Sequence, residues 1–234
     1  MKTRNMNLNE NDHWGLKEFI LLLLLEFVIG VGIIKFVIKP IYDLWIGHEL
    51  YALALMGITI AITLLLGIYF IALRPKKLPW SDIGLRKFAL KDWKSIFLYS
   101  IILLVGTVMI VLITSFLGNS IDNSKTDTFQ QDVTTFTFLI TFISAAIISP
   151  IYEEIFYRGF IYRWLRTRVG LILAILLSST IFTAIHIPTY NAMPVNFFSG
   201  IIFALTYEKT NSIWPVVIVH GSTNGIMVLL TALG

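Results

Sequence analysis

Cysteine is absent from the 234 residues, and charge is scarce: 14% of the chain is Asp, Glu, Lys or Arg. The missing thiols exclude a disulfide scaffold, a cysteine nucleophile and thiolate metal sites. The shortage of charge excludes a soluble globular domain, in which about 25% of residues are charged. So few ionised groups cannot coat a chain that is 56% apolar. The same apolar content excludes disorder. Net charge is +4, yet no nucleic acid partner is expected. The basic residues flank apolar segments, an arrangement that encodes membrane topology.

What the chain holds instead is long apolar runs. A spanning helix takes roughly 20 mostly apolar residues. Phe19–Ile38 is one such run, interrupted by Glu26 and Lys35. Leu50–Leu73 and Ile96–Leu117 carry no charge, nor does Val133–Tyr152, whose pattern continues to Trp164. Val169–Tyr207 is uncharged but too long for one span, and Pro188 and Pro194 divide it. Thr210–Gly234 is the last run. The pattern predicts an all-α, polytopic integral membrane helical bundle of about seven transmembrane helices, with six and eight as bounds. The first run is too long and too charged for a cleavable signal peptide. Residues 1–132 are read as N-terminal transmembrane helices with a basic loop, and residues 133–234 as a helical core carrying the chemistry.

Lys and Arg in short loops set orientation. Segment Arg74–Lys94 holds seven basic residues against Asp82 and Asp92, a net +5 that exceeds the charge of the whole chain. This loop is predicted to be cytoplasmic. The polar loop Gly118–Asp132, with Asp122, Asp127 and Asp132 against Lys125, is predicted outside. Arg163, Arg166 and Arg168 return the chain to the cytoplasm, and the N-terminus, with Lys2, Arg4 and Lys17, is then cytoplasmic too.

Ionisable groups within apolar helices are costly and mark candidate sites. Glu153 and Glu154 continue an apolar run, and neighbouring helical residues point about 100° apart. Glu154 and Arg158 have i, i+4 spacing, which favours an ion pair; Glu153 has no such partner and is left for proton chemistry. His186 ends an apolar helix, with Phe182 one turn earlier on the same face. His220 and Asn224 share a face of the last helix, beside Gly221 and Gly225, which permit close approach of another helix. Each cluster also has a plain structural reading: a helix-end ion pair, an interfacial histidine, interhelical hydrogen bonding. Glu26 and Lys35 are read as snorkelling or buried pairing rather than chemistry.

Together the clusters supply a general base and donors for an oxyanion, a set able to hydrolyse an amide in a membrane cavity. Zinc is the competitor, since two His and a Glu are valid ligands, but the H-E-x-x-H spacing is absent. Ser199-Gly200 lacks the G-x-S-x-G elbow, and the aspartates lie in loops.

Glu153-Glu154-x-x-x-Arg158, Phe182-x-x-x-His186 and His220-x-x-x-Asn224, in this order and on membrane helices, resemble the motifs of the CAAX protease and bacteriocin-processing family, also called Abi. The resemblance spans roughly Thr135–Asn224. Upstream, Trp80-Ser81-Asp82-Ile83-Gly84-Leu85 looks like a stretch often seen in the family. The resemblance implies an intramembrane glutamate protease without a metal or other cofactor. In it Glu153 is the general base on water, assisted by His186, and His220 and Asn224 form the oxyanion site. Glu154 and Arg158 match the motif's supporting glutamate and arginine, and Phe182 lies in the second motif. The implied substrate is a membrane-associated peptide: a prenylated CAAX terminus, or a bacterial leader, pheromone or bacteriocin peptide. The expected location is a bacterial cell membrane. The alternative is a non-catalytic immunity protein or a sensor-kinase-regulating interaction protein. A small proton-coupled carrier would call for inverted repeats, and none is visible.

Depth poses a difficulty. At ~1.5 Å per residue, Glu153 lies roughly 15 Å from a helix end at Trp164, and His220 is at a similar depth if its helix starts near Ser212. His186 comes out roughly 10 Å further across by the same count. A tilt, a later helix start or a different helix between Val169 and Tyr207 would close the gap.

Overall fold

The computed structural model describes residues 13–117 and 124–233. Lys2, Arg4, Asp122 and the side chain of Lys125 lie outside the described part. Among the described residues the chain is helical throughout, with no strand. Helix α1 is Leu16–Ile46, α2 Glu49–Lys76 and α3 Leu90–Phe116. The short α4, Ser124–Gln131, lies in the segment expected to be a loop. The 50-residue stretch Thr135–Ala184 would be about 75 Å long if straight, against a hydrocarbon thickness of about 30 Å. It breaks at Gly170, whose φ of 79° and ψ of −178° lie in a region essentially reserved for glycine. The break yields α5 (135–169) and α6 (171–184). Helix α7 is Met193–Thr210 and α8 Ile213–Leu233. Seven long helices result, as the apolar runs predict. Pro194 sits in the first turn of α7, where a missing N–H is harmless.

The runs understate the helices. Helix α1 extends past Ile38 to Ile46 because the turns before Pro40 are wound wide: the Lys39 N–H bonds the Ile34 carbonyl, five residues back. Among the described residues five stretches are long and apolar enough to cross a membrane, and the protein is an integral membrane protein.

The helix ends alternate between two faces of the bundle. At one, the Trp14 indole donates to the Ala72 carbonyl at 2.9 Å, the Trp164 indole to the Gly15 carbonyl at 3.1 Å and the Arg168 guanidinium to the Trp14 carbonyl at 2.6 Å. Phe19 stacks on Trp164 at 3.8 Å. The same face holds the stretch Trp80–Leu85. The Gly84 carbonyl accepts from the Ile213 N–H at 2.9 Å, and the Ser212 hydroxyl donates to the Arg86 carbonyl at 2.6 Å. This turn covers the start of α8, so Ile83 and Ile213 are fully buried. At the opposite face His48 bonds Asp132 at 2.9 Å. The basic residues of 74–94 and 163–168 thus share one end, the grouping expected from their charge.

Burial is inverted relative to a soluble domain. Leu24 and Phe36 of α1, Ile62 and Phe70 of α2 and Phe97 and Leu112 of α3 are exposed, whereas Glu26, Glu153, Glu154 and Arg158 are buried. Apolar side chains face outward because lipid is as apolar as they are. Packing and polar contacts hold the centre.

Gly170→Ala is expected to cost about 1–3 kcal/mol through backbone strain, read as a lower thermal midpoint in detergent. Val169→Ala, one residue away on the surface, should stay within about 0.5 kcal/mol of the parent.

Candidate active site

The site begins with a proline. Pro150 in α5 has no N–H, so it cannot satisfy the carbonyls one turn behind it. Helix α8 meets them instead. The Asn224 amide donates to the Ala145 carbonyl at 3.0 Å. A Cβ at Gly221 would fall 2.3 Å from the Ala146 carbonyl oxygen, so only glycine lets the two backbones come this close. Wide five-residue turns at 144–148 and 155–162 flank Ser149–Glu154, a geometry that clusters at functional positions.

This docking presents His220 to Glu154. The Glu154 Oε1 atom is 2.7 Å from His220 Nδ1 and 3.0 Å from Arg158 Nη1. All three groups are buried, Glu154 to 0% and Arg158 to 1% exposure, where an unpaired charge would be costly. The second arginine nitrogen donates to the Gly200 carbonyl of α7 at 3.3 Å. The guanidinium lies 4.6 Å from the Phe182 ring and 4.8 Å from the Phe203 ring. Phe203 stacks on His220 at 4.4 Å, and Phe182 meets the edge of His186 at 5.0 Å. Phe182 is thus the spacer between the two histidines. The expected Glu154–Arg158 pair forms, with His220 as a third member that spacing does not reveal.

Glu153 points the other way, into a cavity of about 390 Å³ that Glu153, Phe182, His186, His220 and Asn224 all line. The Ser149 hydroxyl, one turn back, donates to the Glu153 Oε1. The His186 Nδ1 atom lies 2.8 Å from the Phe182 carbonyl. A carbonyl only accepts, so Nδ1 carries the proton and Nε2 is the basic nitrogen of the neutral ring. Lys35 donates to the Ile185 and Ile187 carbonyls at the end of α6, a favourable place for a cation. It therefore braces the chain on either side of His186.

The depth difficulty disappears for two reasons. Helix α5 continues to residue 169, so Glu153 and His186 each lie about 24 Å from the Gly170 break. Helix α8 starts inside the bundle, beneath the Trp80–Leu85 turn, which carries His220 to the same level. Neither the extension nor the buried start has a signal in hydropathy.

Two further cavity residues escaped the sequence reading as site residues. Glu26 is 3% exposed and accepts from the Tyr157 hydroxyl at 2.9 Å; Phe203 packs His220. Glu26 was visible only as a charge in an apolar run, and Phe203 gave no signal. Among the described residues, no three His, Asp or Glu side chains are grouped to hold a metal ion.

Residues 135–226 match the family model described as type II CAAX prenyl endopeptidase Rce1-like. That segment, which carries Glu153, Glu154, Arg158, Phe182, His186, His220 and Asn224, is similar to the Rce1-like endopeptidases. YdiL, a Bacillus subtilis (strain 168) protein named as a membrane peptidase, is 32% identical over 93 residues, 38% of this chain and 36% of YdiL. The membrane-embedded CAAX protease MroQ of Staphylococcus aureus (strain USA300) is 26% identical over 167 residues, 68% of this chain and 61% of MroQ. The chain thus spans about a third of one relative and three fifths of the other. No solved structure matches it.

Arg158→Leu leaves Glu154 buried without its cation and is expected to destabilise by about 3–5 kcal/mol. Asn224→Ala strands the Ala145 carbonyl, for about 1–3 kcal/mol. Thermal melting in detergent reads both. Adding Glu154→Gln to Arg158→Leu should recover part of the loss, because the uncompensated charge goes with it.

Proposed function

We propose that the chain is a membrane-embedded endopeptidase that hydrolyses a peptide bond with water activated by Glu153 and His186. The observation that carries this reading is the split fate of the adjacent glutamates. Glu154 is held by Arg158 and His220 and does not line the cavity, while Glu153 faces the cavity that both histidines line. The Rce1-like match over 135–226 supports the same reaction class.

In the proposed reaction the Glu153 carboxylate takes a proton from water as the water oxygen attacks the peptide carbonyl carbon. The basic nitrogen of His186 orients that water. The carbonyl electrons move to oxygen, and the resulting oxyanion accepts from His220 and from the Asn224 amide. Glu154 holds His220 through Nδ1, and a protonated His220 held in this way offers its Nε2–H to the oxyanion. Collapse of the tetrahedral species breaks the C–N bond, and the proton held by Glu153 passes to the leaving amine. The substrate is a membrane-associated peptide, either lipidated at its terminus or of the leader, pheromone or bacteriocin type, and the setting is a bacterial cell membrane. The basic end of the bundle, with the N-terminus, faces the cytoplasm.

Purified protein in detergent, tested on quenched prenylated and leader-type peptides, checks the reading. Glu153→Gln and His220→Ala are each expected to lower kcat by about 10²–10⁴-fold, with melting that shows a folded protein. A chelator should leave cleavage unchanged. Cleavage that survives Glu153→Gln would overturn the assignment, and loss to chelator with recovery on zinc would replace the metal-free mechanism with a metal-dependent one.

A further inference from the structure

Two ionisable groups in the cavity, Glu26 and Lys35, have no part in this chemistry. Glu26 lies on α1, outside the Rce1-like segment 135–226, yet it lines the same cavity as Glu153, His186 and His220. It is 3% exposed. Its Oε1 accepts from Tyr157, while Oε2 is buried with no hydrogen-bond partner. The small Gly30, whose Cβ position would lie 3.4 Å from Oε2, borders that atom. Leaving a buried carboxylate oxygen unsatisfied costs more than a hydrogen bond returns, and such an atom in a native fold calls for a partner. Glu153 and Lys35 lie within electrostatic range of Glu26. The Lys35 ammonium is directed to the Ile185 and Ile187 carbonyls. Two carboxylates thus share a cavity with one ammonium, between apolar walls that include Leu53, Met56 and Leu103. That combination fits a group with an alkyl stem and a cationic head.

The geometry points to Glu26 as a specificity residue that binds an alkylammonium group of the substrate, a lysine-like side chain close to the scissile bond. The inference rests on the peptidase reading for its biological meaning, but the binding site stands on the cavity itself. Glu26 Oε2 takes a charge-assisted bond from the ammonium, Tyr157 holds the carboxylate in place through Oε1, and the alkyl stem lies along the α2 and α3 walls. Its position outside the shared module means that proteins with the same hydrolytic residues can differ at this subsite.

Two measurements on the full chain in detergent test it. In the first, n-octylammonium is added, with 1-octanol as the neutral control. The ammonium is expected to raise the thermal midpoint by about 3 °C at ten times its Kd, with octanol without effect. Glu26→Gln, which keeps an acceptor for Tyr157, should lose the shift, and Glu26→Asp should keep part of it. An equal response to both ligands, or a shift that survives Glu26→Gln, overturns the inference. In the second, quenched peptides carry lysine or its neutral isostere norleucine at each position near the cleaved bond. One position should favour lysine by about tenfold or more in kcat/KM, and Glu26→Gln should erase that ratio. Loss of both peptides in equal proportion would make Glu26 a positioning residue acting through Tyr157. If no peptide is cleaved, the peptidase reading fails while the ammonium shift still decides the subsite.

Discussion

Everything around the cavity depends on one buried charge cluster. Arg158, Glu154 and His220 come from α5 and α8 and meet with essentially no access to solvent. Within a bilayer there is no hydrophobic gain in burying apolar surface between helices. The specific contacts must therefore come from groups that lipid cannot satisfy. The arginine reaches the Gly200 carbonyl of α7 and lies against Phe182 of α6 and Phe203 of α7. A single guanidinium thus ties α6 and α7 to α5, while Glu154 ties α8 to it.

That cluster also separates two chemically identical neighbours. Glu154 is held through Oε1 by Arg158 and His220, while its Oε2 is buried without a hydrogen-bond partner. Glu153, one residue earlier and turned about 100° away, faces a cavity with its carboxylate steadied by Ser149. The difference between a carboxylate held by Arg158 and His220 and one that lines the cavity arises from direction alone. Pro150 contributes at the level of the backbone: it supplies no N–H to the turn before it, and α8 docks on that turn through Gly221 and Asn224. Asn224 is consequently both a structural donor and, through the same amide, a group lining the cavity.

Helix α1 shows how the part of the chain outside the segment 135–226 takes part in the candidate site. Glu26 reaches the cavity and holds Tyr157, while Lys35 braces the chain around His186 from outside α6. These two charges interrupt an otherwise apolar run. In sequence they read as tolerated exceptions, and in the fold they are the first helix's contribution to the site.

The class of fold was legible from the start. With no cysteine, little charge and repeated uncharged runs, the only way to satisfy the backbone is a set of membrane helices. The seven long helices, and the grouping of Arg74–Lys94 with Arg163–Arg168 at one end, follow from that and from the distribution of Lys and Arg. Glu153, Glu154, Arg158, His186, His220 and Asn224 stand out in the sequence as candidates, because polar side chains in apolar helices are marked by their cost. What hydropathy could not decide is where each helix begins in depth. The strained Gly170 break and the buried start of α8 under the Trp80–Leu85 turn depend on contacts between segments far apart in the chain. Only the tertiary structure decides that Glu154 is held by Arg158 and His220 and Glu153 is open to the cavity, and that Glu26 joins the latter. Orientation around a helix axis is set by which neighbour offers a partner for a buried charge, and that neighbour is fixed by packing rather than by spacing along one helix.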